Sequence, residues 1–282
     1  MYTGERAVPH AFLGVTIAQG TAAYQFVAQQ VVGKRVLDVA CGEGYGTLVL
    51  AEHAQEVVGI DRDPVVVQRA AERYQRPNLS FQCVDADSLL QMFGPRSFDA
   101  VCAFQFIEHR KDQEGFLRLL ARVSRPGGLV VASTPNRRVF PSYNPYHVRE
   151  FDCVEFQTLC ASVFPDVKIV GVFGDRSVLE YRQRKQVTGD WLLRLDVLRA
   201  REWMPRWLMQ RVYDAASWTL LKRGTYLRHR ALVDSITPKN FSVSAEHLAD
   251  ALDFVVLAPV PLMNPIAVSV GVPQDATRVA RW

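Results

Sequence analysis

The chain of 282 residues lacks several features that would place it outside the ordinary globular proteins. No apolar run reaches the ~18 residues that a membrane-spanning helix needs, and the first residues show no signal peptide. The five cysteines form no C-x-x-C pair, and three of them (Cys41, Cys83 and Cys102) fall in predicted strands or at strand ends. We therefore expect reduced thiols and a cytoplasmic location. Internal repeats and low-complexity tracts are also missing.

Charge is modest overall but unevenly distributed. The net charge is +4, whereas residues 175–239 hold fourteen Lys/Arg against seven Asp/Glu. A basic region of this kind indicates an acidic partner, such as a phosphate, a nucleotide or an anionic lipid. Apolar residues make up 49% and charged residues 22% of the chain, which is ordinary for a globular protein.

The most informative segment is residues 36–46, VLDVACGEGYG. It predicts a buried strand that runs into a glycine-rich turn and then a helix, where backbone N–H groups can approach a ligand closely. Residue 47 is Thr, so the G-x-G-x-x-G spacing of dinucleotide-binding turns lacks its last glycine. Asp38, at the strand end, would repel a pyrophosphate but could hold an ammonium group. The turn therefore predicts a nucleoside cofactor other than a dinucleotide.

Further landmarks follow in order along the chain. A predicted strand ends at Asp61, about 20 residues beyond the turn, where a carboxylate can bind ribose hydroxyls. Residues 81–89 and 97–104 predict the ends of the third and fourth strands, and residues 125–128, RPGG, predict the turn before the fifth. In this order the segments resemble the class I S-adenosyl-L-methionine (SAM) methyltransferases over most of residues 1–173. The fold-level alternative is a NAD-dependent oxidoreductase.

The resemblance implies SAM as cofactor and a set of residues that bind it. Asp61 would bind the ribose, Asp85 the adenine amino group, and the N–H of Ala86 a ring nitrogen. The whole predicted cofactor-binding set is Asp38, Ala40, Gly42, Gly44, Asp61, Arg62, Asp85, Ala86 and Phe104.

We expect an α/β, Rossmann-like sheet of seven strands with helices on both faces. A first helix is predicted over residues 17–31, a sixth strand over 167–173 and a seventh over 253–258. The predicted domains are an N-terminal arm (1–15), a SAM-binding domain (16–174 and 246–282) and an inserted helical lid (175–245). Trp and Leu recur at helical spacing within the lid, which favours a core stripe, an acceptor-binding wall or a surface that contacts a membrane.

Catalytic side chains are predicted after the fourth strand. Methylation of a hydroxyl requires removal of its proton, and His109 is the predicted base because an ordinary imidazole pKa near 6.5 suits that role. A histidine that simply bonds a backbone group is the alternative.

Residues 3–6, 107–109, 133–136 and 144–151 resemble SAM methyltransferases that are associated with sugar modification. Related spacing in small-RNA terminal 2′-O-methyltransferases holds a divalent cation such as Mg²⁺. Carried over to this chain, the metal ligands are Glu108, His109 and His147, with Gln105 standing where that family has a carboxylate. Loss of that negative charge weakens a site for a hard cation, so we expect catalysis by Glu108, His109 and His147 without a strict metal requirement.

Acceptor contacts are predicted for Gln105, Tyr143, Tyr146 and Arg149. The expected function is SAM-dependent O-methylation of a sugar, glycoside or oligosaccharide. The alternatives are N-methylation of an amino sugar, ribose O-methylation in RNA, and a SAM-binding protein without catalysis. The expected partner is a small-molecule or oligosaccharide acceptor, of which an anionic one would match the basic region. RNA ranks lowest because no aromatic-rich RNA module is evident. Peripheral membrane contact stays open.

Overall fold

A computed structural model describes residues 13–139, 146–184 and 225–262. Strands and helices alternate through most of the described chain, as the sequence pattern predicts. The strands are β1 Arg35–Val39, β2 Glu56–Asp61, β3 Leu79–Cys83, β4 Phe98–Ala103, β5 Ser124–Pro135, β6 Lys168–Gly174, β7 Phe241–Ser244 and β8 Asp253–Pro259. The helices are α1 Gly14–Ala28, α2 Tyr45–Ala51, α3 Pro64–Arg73, α4 Leu89–Phe93, α5 Gln113–Val123, α6 Cys153–Ala161 and α7 Thr225–Ser235. Residues 176–184 are also helical.

All eight strands form one sheet in the order β3-β2-β1-β4-β5-β8-β6-β7. Strands β1 to β5 pair in parallel, whereas β8 runs antiparallel to both β5 and β6. The order reverses at β1, because β2 and β3 lie on one side of it and β4 and β5 on the other. Ligands of open α/β sheets bind beyond the carboxyl ends of the strands at such a reversal.

Local sequence explains where several helices begin. The side chain of Asp63 accepts a hydrogen bond from the N–H of Val65 and caps α3, whose first residue is Pro64. Asp152 and Glu155 form a reciprocal capping box at the start of α6. Helix α5 presents Phe116, Leu117 and Leu120 to the sheet, whereas Glu114 and Arg122 face solvent.

Apolar side chains cover both faces of the sheet. One cluster packs α5 and α6 against one face through Phe116, Phe156 and Phe254, and the other packs α1 and α2 against the opposite face through Val27 and Leu50. The parallel strands β1 and β4 are buried almost throughout, as expected for strands covered on both sides.

The structure corrects the expected strand count. Phe241–Ser244 form β7, which pairs antiparallel with β6, so the sheet has eight strands rather than seven. These residues fall inside the range predicted as a helical lid. Most of that range, residues 185–224, lies outside the described residues, as do residues 1–12 of the predicted arm. Residues 125–128 belong to β5 itself rather than to a separate turn, and β4 and β5 shift register beside them.

Within the described ranges, none of the helices combines the length and apolar content that a membrane span needs.

Candidate active site

A cavity of about 510 Å³ opens at the carboxyl ends of β1, β2 and β4. This volume is in the range of small-molecule sites. Its wall comes from the glycine-rich turn, the ends of β2, β3 and β4, and the segment after residue 145. The lining residues are Thr16, Ala40, Cys41, Gly42, Glu43, Tyr45, Asp61, Arg62, Val84, Asp85, Ala86, Gln105, Phe106, Glu108, His109, Arg110, Pro135, Tyr146 and His147.

The glycine-rich turn has the backbone conformation that its sequence predicts. Gly42 and Gly44 have φ of +55° and +79°, and Ala40 also has a positive φ, +58°. A Cβ at residue 44 would lie 2.7 Å from the ring of Phe81, so this position requires glycine for space as well as for backbone conformation. At residue 42 a Cβ would meet no protein atom within 4 Å and would face the open cavity.

Asp61 fixes the turn as well as lining the cavity. Its carboxylate accepts hydrogen bonds from the N–H of Gly42 at 3.2 Å and from the N–H of Asp63 at 3.0 Å. A carboxylate has lone pairs for more than two donors, so Asp61 can bind ribose hydroxyls without leaving the turn. Asp85 and Ala86 line the same cavity two to three residues beyond β3.

Asp38 lies outside the cavity wall, in contrast to the expectation that it contacts the cofactor ammonium. Its side chain is 0% exposed and accepts hydrogen bonds from the hydroxyls of Tyr24, at 3.2 Å, and Thr47, at 2.7 Å. Burial raises the pKa of Asp38 from 3.8 to about 7, although both hydroxyls act against this. The structure places Asp38 as a link between α1, β1 and α2 that supports the turn.

Two further predicted cofactor residues are placed outside the wall. Phe104 is buried and stacks on the ring of Tyr24, with centroids 3.8 Å apart, and Gly44 faces Phe81.

The sequence prediction missed several lining residues, including Thr16, Tyr45, Phe106, Arg110 and Pro135. Pro135 ends β5 and could have been found from its position at a strand end. Thr16, on α1, carried no signal because only tertiary packing brings that helix to the cavity.

Glu108, His109 and His147 all line the cavity and lie close together. Each offers a ligand atom, and these atoms all lie within 4.8 Å of one another. The backbone joins the two segments, because the carbonyl of Glu108 accepts hydrogen bonds from Val148 N–H at 2.8 Å and Arg149 N–H at 3.3 Å. Glu108 is 0% exposed, and the rings of the two histidines are 4.9 Å apart.

Hydrogen bonds determine which nitrogen of each imidazole carries the proton. Nδ1 of His109 lies 3.2 Å from the carbonyl oxygen of Tyr146, which can only accept, so Nδ1 is the donor. Nδ1 of His147 lies 2.8 Å from a carboxylate oxygen of Glu150. In the neutral rings the lone pair is therefore on Nε2, the arrangement typical of metal-binding histidines backed by an oxygen partner.

The pKa of His109 differs from the ordinary imidazole value near 6.5 that made it a candidate base. Burial, together with the neighbouring His147 and Arg62, lowers the pKa of His109 to about 4, while its bond to Tyr146 acts in the opposite direction. His109 is therefore neutral at physiological pH, with Nε2 able to accept a proton or bind a metal ion.

The predicted acceptor residues have different positions. Gln105 and Tyr146 line the cavity. Arg149 is not part of the wall, because its guanidinium lies over the ring of Phe151 at 5.0 Å. Tyr143 lies outside the described residues.

Comparison with known proteins identifies the family of the chain. Residues 37–132 match a family described as methyltransferase domain. The chain is 35% identical over 190 residues to a probable S-adenosylmethionine-dependent methyltransferase of Mycolicibacterium smegmatis, covering 64% of this chain and 72% of the relative. A protein of the same description from Mycobacterium tuberculosis is 35% identical over 178 residues, or 61% of this chain and 64% of the relative. A ubiquinone biosynthesis O-methyltransferase of Idiomarina loihiensis is 33% identical over 109 residues, or 38% and 44% of the two chains.

Solved structures share the fold at low identity. The [4+2]-cyclase SpnF matches with a TM-score of 0.51 at 19% identity, covering 86% of this chain and 82% of SpnF. Phosphoethanolamine N-methyltransferase 2 of Haemonchus contortus matches with a TM-score of 0.53 at 18% identity, covering 87% and 53% of the two chains. From the sequence relatives and the matched domain, the chain belongs to the SAM-dependent methyltransferases, and SAM is its cofactor.

Proposed function

We propose that the protein methylates a hydroxyl oxygen of a small molecule, with a sugar, glycoside or oligosaccharide as the acceptor. The observation that carries the proposal is the continuity of one cavity, which extends from the glycine-rich turn and Asp61 to the cluster of Glu108, His109 and His147. The first part suits the nucleoside of SAM. In the second part, these three residues would serve as proton-accepting or metal-binding groups for an acceptor.

Methyl transfer to a hydroxyl has simple requirements. The acceptor oxygen attacks the methyl carbon in line, the carbon–sulfur bond breaks, and its electron pair stays on sulfur to give S-adenosylhomocysteine. Holding the two reactants at attack distance supplies much of the rate. The hydroxyl proton must also leave, and in a metal-free enzyme Nε2 of His109 accepts it.

A specific observation also supports a divalent cation at this cluster. One carboxylate and two imidazoles lie close enough to share an ion, and oxygen partners orient both rings through Nδ1. Glu108, His109 and His147 would hold the cation, which when bound lowers the pKa of a coordinated hydroxyl. Two imidazoles suit Mn²⁺, Fe²⁺ or Zn²⁺ better than Mg²⁺, the example that the sequence resemblance offered.

Two sequence similarities bear on the acceptor class, and they indicate different acceptors. The similarity of residues 107–109 and 144–151 to sugar-associated methyltransferases indicates a saccharide hydroxyl. The similarity to ubiquinone biosynthesis O-methyltransferases covers under half of each chain and indicates an aromatic hydroxyl as the rival acceptor.

A screen of methyl transfer tests both the reaction and the acceptor. The purified protein is incubated with SAM and separate panels of sugars, amino sugars, oligosaccharides and catechols, and S-adenosylhomocysteine and methylated product are measured together. Product only with saccharides supports the proposal, product only with catechols replaces the acceptor class, and methylated amines instead of ethers would refute O-methylation. A chelator arm, restored with Mn²⁺, Zn²⁺ or Mg²⁺, separates the two ways of removing the proton.

A further inference from the structure

One buried carboxylate in the cavity wall has no part in the methyl transfer described for this site. Glu43 is 4% exposed and lines the cavity between two glycines of the turn. Gly42 and Gly44 both have left-handed backbone, which few residues other than glycine adopt, so the path of the chain on either side of Glu43 is constrained. The turn therefore holds Glu43 at one place in the wall.

The charge of Glu43 is only partly compensated by the protein. Its Oε1 lies 3.2 Å from Nη2 of Arg69 on α3, but no described residue donates a hydrogen bond of good geometry to this oxygen. The side chain of Arg69 is 49% exposed, so solvent weakens the attraction between the two charges. Because a buried carboxylate is costly unless it is paired and hydrogen-bonded, Glu43 requires a further donor, and the cavity is where a donor can enter.

The neighbours of Glu43 place it on the side of the cavity where β2 ends. Helix α3 follows β2 directly and approaches the turn closely, since a Cβ at residue 44 would lie 3.0 Å from Cβ of Ala70. Asp61, at the end of β2, accepts a hydrogen bond from the N–H of Gly42, the residue before Glu43. The two carboxylates therefore lie on the same side of the turn, where Asp61 can bind ribose hydroxyls.

Asp61 has limited capacity for a ribose with two hydroxyl groups. Its Oδ1 and Oδ2 already accept hydrogen bonds from the N–H groups of Asp63 and Gly42. Each oxygen of a carboxylate offers about two acceptor positions, so these bonds occupy about half of the total. A second carboxylate on the same side of the turn would bind one hydroxyl without competing with the bonds that fix the turn.

We infer that Glu43 is a cofactor-binding residue whose carboxylate accepts a hydrogen bond from a ribose hydroxyl of SAM, beside Asp61. Arg69 contacts Oε1 of Glu43, so the hydroxyl binds Oε2 and supplies the hydrogen bond that the buried charge requires. The inference concerns the cofactor alone, and it does not depend on which acceptor is methylated.

Calorimetry with S-adenosylhomocysteine and its 2′-deoxy and 3′-deoxy forms tests this contact. Glu43→Met keeps the length of the side chain and removes its acceptor oxygens. In the wild-type protein, loss of the hydroxyl that Glu43 binds should weaken affinity at least about tenfold, as expected for a hydrogen bond to a charged group. In Glu43→Met the same loss should change affinity by less than about twofold. A purely structural role would weaken all three ligands alike and keep both wild-type hydroxyl penalties, and that result would overturn the inference.

A ligand without the amino-acid part of SAM separates the ribose from the ammonium group. Glu43→Met should weaken binding of 5′-methylthioadenosine by the same factor as binding of S-adenosylhomocysteine, about tenfold. Weakening confined to S-adenosylhomocysteine would assign Glu43 to the ammonium group and refute the ribose contact.

Two other variants complete the test. Glu52→Met, a matched change at an exposed carboxylate that lies 3.8 Å from Arg76, should leave every affinity within about twofold. Glu43→Gln keeps the size and polarity of the side chain and replaces Glu43→Met where that variant does not fold; its hydroxyl penalty should be at least about threefold smaller than in the wild-type protein. An unchanged penalty in Glu43→Gln would also contradict the inference. Failure of the proposed function would appear separately, as absence of saccharide methylation, because none of these measurements needs an acceptor.

Discussion

The buried carboxyl of Asp38 should make the stability of the protein fall as pH rises through neutrality. Its pKa in the folded protein is about 7, against 3.8 for an ordinary aspartate. Between these two values the folded protein binds one proton more than the unfolded chain, so the contribution of Asp38 is complete below pH 3.8 and is lost as pH rises through 7. The difference of roughly three pKa units corresponds to about 4 kcal/mol in total.

Denaturant unfolding of the wild-type protein and Asp38→Asn, at steps between pH 5 and pH 8, measures this contribution. The variant keeps the shape of the side chain but does not titrate. We expect the unfolding free energy of the wild-type protein, relative to the variant, to fall by about 2–3 kcal/mol over this range. The low pKa of His109 acts in the opposite direction, because the unfolded chain binds that proton more readily, and it cancels in the comparison because both proteins contain it. Parallel profiles for the two proteins would refute a raised pKa for Asp38.

Three other predictions concern the cavity. Asp61→Ala should weaken SAM binding by roughly 2–4 kcal/mol in calorimetry, because it removes the proposed ribose contacts and the hydrogen bond from the N–H of Gly42. Asp85→Ala should weaken SAM binding less. Equal losses of SAM affinity in the two variants would contradict these roles. His109→Ala should lower kcat by about 10²-fold, while its affinity for SAM stays within a few-fold of the wild-type value. A variant that turns over as fast as the wild-type protein would show that His109 takes no part in the reaction. If the cluster holds a cation, His147→Ala should weaken Mn²⁺ binding by about 10–100-fold in calorimetry, whereas undetectable Mn²⁺ binding by the wild-type protein would exclude the metal proposal.

The sequence predicted the parts of the fold that local patterns determine. Parallel strands buried on both faces, such as β1 and β2, have continuous apolar sequences. Residues at or just beyond the carboxyl ends of parallel strands, such as Asp61 and Asp85, meet at one sheet edge. The same logic brought Glu108 and His109 to the cavity. Strand β7 was missed because it has only four residues, FSVS, and lies next to a region that reads as helical. A short edge strand is stabilised by pairing with its neighbour, which its own sequence does not reveal.

The environment of each ionisable group was the part that the sequence could not supply. Asp38 occupies the position expected for a cofactor ligand, and the hydroxyl of Tyr24, from α1, donates a hydrogen bond to its carboxylate. The low pKa of His109 depends first on burial and then on His147, 38 positions away. Strand-end position therefore identifies which side chains reach the cavity, whereas their protonation depends on packing from distant segments. Asp253 illustrates this most clearly, because Gln19, which donates a hydrogen bond to it, lies on α1, 234 positions away in the chain, and only the assembled fold brings the two together.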